Sequence, residues 1–262
     1  MTTGKRIAYF CMEYGLHETF PIYSGGLGVL AGDTMKAAAD KQCDFVGVGI
    51  LWDEGYTVQK IDAEGRPYDE YPKTPRDKLE SLDTTVEVTI ENKSVELRVH
   101  LLNAFGSAPL YLLEPVAEEH QWITRRLYAG AGKARIAQEL VLGVGGVRLL
   151  RALGHEVDVY HFNEGHALFA GFELMRERMA AGATFEQARE QCRENIVFTT
   201  HTPVKAGNET HSVDLLLEMG AGLGTHSRDD LVNLAGDPFQ MTVGALRLAK
   251  AANAVAQLHG TT

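Results

Sequence analysis

Short apolar runs alternate along the chain with longer stretches in which apolar residues return every three or four positions. Ile7 to Phe10, Phe45 to Leu51, Val157 to Phe162 and Ile196 to Thr199 have the continuity of strands covered on both faces. Val29 to Lys41, Ile136 to Leu153, Ala167 to Met179 and Phe185 to Cys192 carry the helical period. Strands and helices in alternation predict an α/β fold, a parallel sheet flanked by helices. The stretch 55–115 breaks the rhythm. Thr85 to Ile90 and Val95 to Leu102 alternate with period two on either side of Glu91-Asn92-Lys93-Ser94, which predicts a hairpin within an antiparallel β insertion. Glu64-Gly65-Arg66-Pro67 and Tyr71-Pro72-Lys73-Thr74-Pro75 carry turn chemistry, so the region ahead of the hairpin should be loop-rich and near the surface. Thr242 to Gln257 reads as one helix, after which come Leu258 to Thr262.

The polar and glycine positions that interrupt these elements carry the candidate chemistry. Ser24-Gly25-Gly26-Leu27-Gly28-Val29-Leu30-Ala31-Gly32-Asp33 opens the Val29 helix. Without Cβ atoms, Gly25, Gly26 and Gly28 allow positive φ and close approach of a ligand, and the helix N–H groups there favour an anion such as phosphate. A turn that only packs strand against helix fits the same glycines. A P-loop is excluded by the missing lysine. A dinucleotide fingerprint is excluded because Cys11 to Tyr23 is too long a connection for its tight turn.

In a parallel α/β sheet ligands bind beyond the carboxyl ends of the strands. Three segments occupy such ends: Cys11-Met12-Glu13-Tyr14, His161-Phe162-Asn163-Glu164-Gly165-His166 and Thr199-Thr200-His201-Thr202-Pro203. They are expected to converge on the glycine loop. Glu13 follows apolar residues and is either a partly desolvated carboxylate for a sugar hydroxyl or a cation, or an exposed loop acid. Asn163, Glu164 and His166 offer donors and acceptors ahead of a helix, which Asn163 or Glu164 could instead simply cap. His201, held between threonines and ahead of Pro203, either offers one oriented hydrogen bond or is a satisfied, half-buried histidine. His161, Glu164, His166, His201 and His211 resemble a ligand set, but their spacing matches neither H-E-x-x-H nor H-x-x-E-H, so no metal is expected. There is no G-x-S-x-G elbow, Cys11 has no evident activating partner, and no local pattern selects a carboxylate pair for glycoside hydrolysis.

Composition narrows the partners. The 262 residues are 45% hydrophobic, enough for one large domain or two small ones. A net charge of −10 without a basic cluster argues against nucleic acid and acidic membranes and favours a small or neutral partner. Cys11, Cys43 and Cys192 are odd in number and far apart, which fits reduced thiols in a cytoplasm. The segment Met1 to Arg6 leads into only a short apolar strand, so neither a signal peptide nor a membrane span is expected.

The segments Phe10-Cys11-Met12-Glu13-Tyr14, Ser24 to Gly28, Arg135-Ile136-Ala137-Gln138-Glu139, His161 to His166, Thr200-His201-Thr202 and Thr242 to Leu248 through Leu258-His259-Gly260 resemble the amino-terminal domain of the α-glucan phosphorylases, especially the short bacterial-type members. The resemblance runs nearly end to end. It implies that residues 1–262 are the first Rossmann-like half of a two-domain GT-B fold whose carboxy-terminal, cofactor-binding domain is absent from this sequence. In that family pyridoxal phosphate is held on a lysine of the second half, and its phosphate relays a proton to inorganic phosphate as a terminal glucose leaves an α-1,4-glucan as glucose 1-phosphate with retention. By resemblance, His201 and Glu13 are catalytic, Asn163, Glu164 and His166 bind substrate, and Gly25, Gly26 and Leu27 meet the phosphates. Lys36, Lys41, Lys60 and Lys205 fall in segments aligned with the first domain, so none is assigned the Schiff base.

Two departures stand out: Tyr128-Ala129-Gly130-Ala131-Gly132-Lys133 lacks the acidic or amide residue many relatives carry, and Val29 stands where animal and plant-type members have arginine. The expected function is the glucan-side half of a phosphorylase, inactive as this isolated chain. The alternatives are the first domain of a nucleotide-sugar-dependent glucan synthase, or a non-catalytic carbohydrate-binding or assembly module. A face normally covered by a second domain would also favour homo-oligomers.

Overall fold

The computed structural model describes residues 4–201 and 208–260. Strand β1 (Ile7–Phe10) lies inside an eight-stranded sheet, between β2 (Phe45–Ile50) on one side and β8 (Val159–Asn163) on the other. Both pairings are parallel, with Ile7 opposite Phe45 and Val159. Beyond β8 comes β9 (Ile196–Thr200), and beyond β2 comes β7 (Leu110–Pro115), again parallel. Every residue of β2 is buried, as expected for a strand covered on two sides.

The coverage follows from the alternation of side chains across the sheet. A Cβ on Gly47 would meet Met35 of helix α1 (Gly26–Asp40), whereas a Cβ on Gly146, in helix α3 (Gly146–Ala152), would meet Val48 and Phe10. Successive residues of β2 therefore face different helices, and α1 and α3 cover opposite faces. The predicted helix Ile136 to Leu153 is observed as α2 (Lys133–Leu140), a π-helical turn over Val141–Gly145, and α3 in direct succession. Gly143 in that turn explains the close packing on α4 (Leu168–Ala180), because a Cβ there would lie 2.4 Å from the Ala170 nitrogen. Helix α5 (Phe185–Arg193) follows, closed at its start by a capping box between Thr184 and Gln187.

The antiparallel insertion is present but is no separate layer. Strands β5 (Leu79–Ile90) and β6 (Lys93–Leu102) form the hairpin, β6 pairs with β7, and the main sheet runs β12-β9-β8-β1-β2-β7-β6-β5. The hairpin turn is tighter than expected, with Glu91 and Asn92 both at positive φ (49° and 61°), the geometry of a two-residue turn that matches the strand twist. Within this insertion β3 (Val58–Ile61) and β4 (Pro67–Glu70) stand apart from the main sheet, as a pair with every residue exposed.

The largest departure from the sequence pattern lies near the carboxyl end. After α6 (Val213–Met219) and α7 (Arg228–Ala235), and after β10 (Thr210–His211) has paired with β11 (Phe239–Gln240), the predicted helix Thr242 to Gln257 is instead α8 (Met241–Leu248), strand β12 (Ala251–Ala254) and α9 (Gln257–Gly260). The alanines of β12 favour a helix by propensity, but the open edge of β9 offers main-chain partners in register from Val197 to Thr200, and pairing prevails. Cys11 and Cys192 are buried and Cys43 is exposed, none in a disulfide. No helix among the described residues is long and apolar enough to cross a membrane.

Candidate functional site

The three polar segments meet at the carboxyl ends of β1, β8 and β9, joined by hydrogen bonds. His201 Nε2 lies 2.5 Å from Asn163 Oδ1, Asn163 Nδ2 donates to Cys11 Sγ at 3.1 Å, and Cys11 Sγ donates to the Glu13 carbonyl at 3.0 Å. An amide oxygen only accepts, so the partner nitrogen of His201 carries the proton. Burial raises the Cys11 thiol far above its usual range, which keeps it a donor rather than a nucleophile. Asn163 is completely buried and functions as the joint of this relay rather than as a helix cap.

Capping falls to Glu164. At φ 75° its backbone turns sharply, Oε1 accepts from Gly165 N–H at 3.1 Å, and Oε2 accepts from His201 N–H at 2.6 Å. The same carboxylate thus starts the 3-10 turn Gly165–Ala167 and holds the end of β9. His166 is buried, and its Nε2 accepts from Met12 N–H at 3.2 Å; burial first, and the charge of Arg135 second, hold it down at a pKa of about 3. A neutral imidazole that accepts at Nε2 fixes the loop after β1.

Glu13 links this relay to the glycine loop. It is buried, not an exposed loop acid. Its Oε2 accepts from the Ser24 N–H at 2.6 Å, from Ser24 Oγ at 3.2 Å and from the Gly25 N–H at 3.4 Å, while Oε1 accepts from the Tyr128 hydroxyl at 2.5 Å. Part of the anion-attracting potential at the start of α1 is therefore neutralised by the protein's own carboxylate.

The helix begins at Gly26, three residues earlier than the apolar period suggested, with Gly25 extended (φ −155°). None of Gly25, Gly26 and Gly28 takes a positive φ. What Gly28 supplies is room: a Cβ there would sit 2.6 Å from Tyr23 Cβ and 2.7 Å from Glu13 Oε2. Gly25 and Gly26 are exposed, and Cβ atoms on them would meet nothing within 4 Å, so their backbone faces open space. Leu27 is half-buried beside them. The first-turn N–H groups have no intrahelical acceptor and are directed at that space.

Of the five residues that resembled a ligand set, Glu164 is bonded to the His201 N–H, while His161 and His211 are engaged elsewhere. His161 bonds Thr199 Oγ1 at 2.7 Å with its ring against Tyr9, and burial lowers its pKa to about 4. His211 instead joins Glu139 and Glu209, whose ligand-capable atoms lie within 4.8 Å of one another. A guanidinium already serves that cluster, with Arg135 Nε 3.0 Å from Glu209 Oε2 and 3.6 Å from Glu139 Oε1. His211 Nε2 stands 3.7 Å from Glu139 and 3.5 Å from Glu209, too far for hydrogen bonds. Burial drives the Glu139 carboxyl up to about 8. Although burial opposes it, the flanking carboxylates raise His211.

Tyr128, Glu139 and Glu209 were not among the sequence candidates. The Arg135 to Glu139 pair, four residues apart on a helix otherwise facing the core, was the available signal; nothing local marks Glu209. Thr202, Pro203 and Lys205 lie outside the described residues.

No family model matches the chain. Individual relatives do. A maltodextrin phosphorylase of Thermococcus litoralis is 37% identical over 268 residues, covering 97% of this chain and 32% of that protein. A glycogen phosphorylase of Mycobacterium tuberculosis is 38% identical over 286 residues, covering 97% and 33%. The chain is a relative of the α-glucan phosphorylases, matched to their amino-terminal domain. An uncharacterized protein of Methanocaldococcus jannaschii is 40% identical over 261 residues, covering 97% of this chain and 48% of that protein. The chain thus spans about a third to a half of the length of the curated relatives it matches. The eight-stranded, mostly parallel sheet flanked by helices has a Rossmann-like arrangement.

Proposed function

We propose that the chain is the glucan-side half of an α-glucan phosphorylase, acting in phosphorolysis of α-1,4-glucan to glucose 1-phosphate once a second lobe of a GT-B fold completes the cleft. The observation that carries this reading is the single hydrogen-bonded assembly of His201, Asn163, Glu164, Cys11 and Glu13 at three adjacent strand ends, directly continuous with the open faces of Gly25 and Gly26. His201 and Asn163 are the groups to orient a sugar hydroxyl. Glu13 is a positioning residue: its carboxylate holds the glycine loop and Tyr128.

The open amides fit the phosphate of a pyridoxal phosphate cofactor or of the substrate. Such a cofactor, when bound, supplies proton transfer to inorganic phosphate. With Glu13 on the Ser24 and Gly25 amides and Arg135 on Glu209, the described residues here bring little free positive charge, so a phosphate would need cations from the other lobe. The odd, unbridged thiols support a cytoplasmic location.

The test is to assay the chain with maltoheptaose and phosphate, with and without pyridoxal phosphate. The same assay follows for the chain fused to the remainder of the Thermococcus maltodextrin phosphorylase. Glucose 1-phosphate is expected from the fusion alone. Product from the isolated chain would overturn the half-site reading, and turnover of a nucleotide sugar by the fusion would favour a glucan synthase. Glucan binding with no turnover in any fusion would favour a non-catalytic module.

A further inference from the structure

Trp122 is 44% exposed, whereas the other tryptophan, Trp52, is completely buried. It sits in the 3-10 turn Glu118–Thr124 that follows β7 and contributes to the walls of two cavities. One, of about 290 Å³, is lined otherwise by Asp53, Arg76, Glu114, Gln121, Thr124 and Arg125. The other, of about 180 Å³, lies toward the β5–β6 turn and includes Glu91, Lys93 and His120.

Both cavities lie along the carboxyl edge of the sheet. Asp53 follows β2, Glu114 is near the end of β7, and the β5–β6 turn closes the same edge because β6 runs antiparallel to β7. β7 is two strand spacings from β1, about 10 Å. Aromatic side chains mark the interval: the Tyr128 hydroxyl is bonded to Glu13, its ring meets Tyr56 edge-on with centroids 6.4 Å apart, and Tyr56 is 43% exposed three residues after Asp53.

We propose that Trp122 and the polar groups around it form an accessory site for the glucan chain, outside the reacting end. This inference rests on the glucan reading above. A pyranose presents C–H groups on its faces and hydroxyls at its rim. An indole face accommodates the former, and carboxylate, amide and guanidinium groups pair with the latter. The larger cavity has that composition. Arg76 is fixed by a two-pronged ion pair to Glu114 (2.8 Å on each arm), and His100 bonds Glu114 at 2.7 Å from below, so the cavity floor is built rather than fluid. So many charged groups beside one ring fit poorly with the dry, charge-depleted centre of a protein interface.

The experiment titrates the 262-residue chain with maltoheptaose, following tryptophan emission, acrylamide quenching and calorimetry, for wild type, Trp122→Ala, Trp122→Phe and His201→Ala. Maltoheptaose should shield wild-type emission from quenching, because only Trp122 is accessible. Trp122→Ala should weaken binding about tenfold, Trp122→Phe should recover most of it, and His201→Ala should leave the shielding intact. Thermal melts confirm that each variant is folded.

Binding unchanged in Trp122→Ala but lost in His201→Ala would overturn the accessory site and leave the glucan reading standing. So would a wild-type chain that fails to bind maltoheptaose while its phosphorylase fusion still turns over. No binding together with no turnover would overturn both. A loss of self-association in Trp122→Ala, without any change in sugar binding, would show that the ring covers a second copy of the chain and would also overturn the proposal.

Discussion

Two buried polar clusters lie close together in this protein, and they are built to opposite rules. In the relay from His201 through Asn163 and Cys11 to the Glu13 carbonyl, each hydrogen bond has a donor and an acceptor at 2.5–3.1 Å. In the cluster of Arg135, Glu139, Glu209 and His211, both Glu139 oxygens and His211 Nε2 are buried without a hydrogen bond, although the Arg135 to Glu209 pair is well made. A satisfied network holds one geometry, whereas a partly satisfied one stores its cost in protonation. Cys11 and Asn163 therefore serve positioning, while Glu139 and His211 make stability depend on pH.

The comparison is broken most severely at Arg135. Its side chain is only 15% exposed, and Arg135→Leu strands the Glu209 carboxylate, beside the buried Glu139 carboxyl, without its guanidinium. A loss of about 3 kcal/mol in denaturant unfolding is expected. A loss well under 1 kcal/mol would mean that His211 alone neutralises the cluster.

Asn163→Ala comes next. It removes an acceptor from His201 and a donor from Cys11 in a buried position, and should cost about 2 kcal/mol. In the phosphorylase fusion it should also reduce kcat. Full activity in a destabilised Asn163→Ala fusion would show that the relay serves folding only.

The smallest effect sharpens the contrast through pH. The Glu139 carboxyl ordinarily titrates at 4.5 but near 8 in the fold, and His211 moves from 6.5 to about 9. Between those values the folded state holds more protons than the unfolded, so stability falls as pH rises, most steeply from 6.5 to 8, where both groups contribute. Glu139→Gln, shaped like the protonated acid, should leave stability little changed at pH 6 and flatten the decline in melting temperature toward pH 9. An unchanged slope in the variant would place the proton on His211 alone. The opposite dependence belongs to Glu114. Although burial opposes it, His100 and Arg76 hold it at about 2, so its contribution is complete above 4.5 and is lost as pH falls toward 2.

Much of this architecture is legible in the linear pattern. The runs around Ile7, Phe45, Val159 and Ile196 are read directly because strands buried on two faces are continuously apolar. The polar segments that follow them are recognisable as site candidates because strand ends in a parallel sheet open toward the ligand. The segment Ala251–Ala254 is not legible, since its residues favour a helix and only the bare edge of β9 makes them a strand. Nor is the role of Glu13 legible. Its neighbours in sequence fit a desolvated carboxylate and an exposed loop acid alike, and Ser24, Gly25 and Tyr128, which occupy its oxygens, come from other parts of the chain.

By itself, then, the sequence determined the class of fold, the order of its main elements and the residue types at the strand ends, because hydrophobic period and turn chemistry are local properties. The tertiary structure decided which polar atoms satisfy one another. It joined Asn163 to His201 and Cys11, used Glu13 to hold the glycine loop, and placed Glu209 and His211 against Arg135 and Glu139. Those pairings depend on distances across the sheet, which spacing along the chain does not encode.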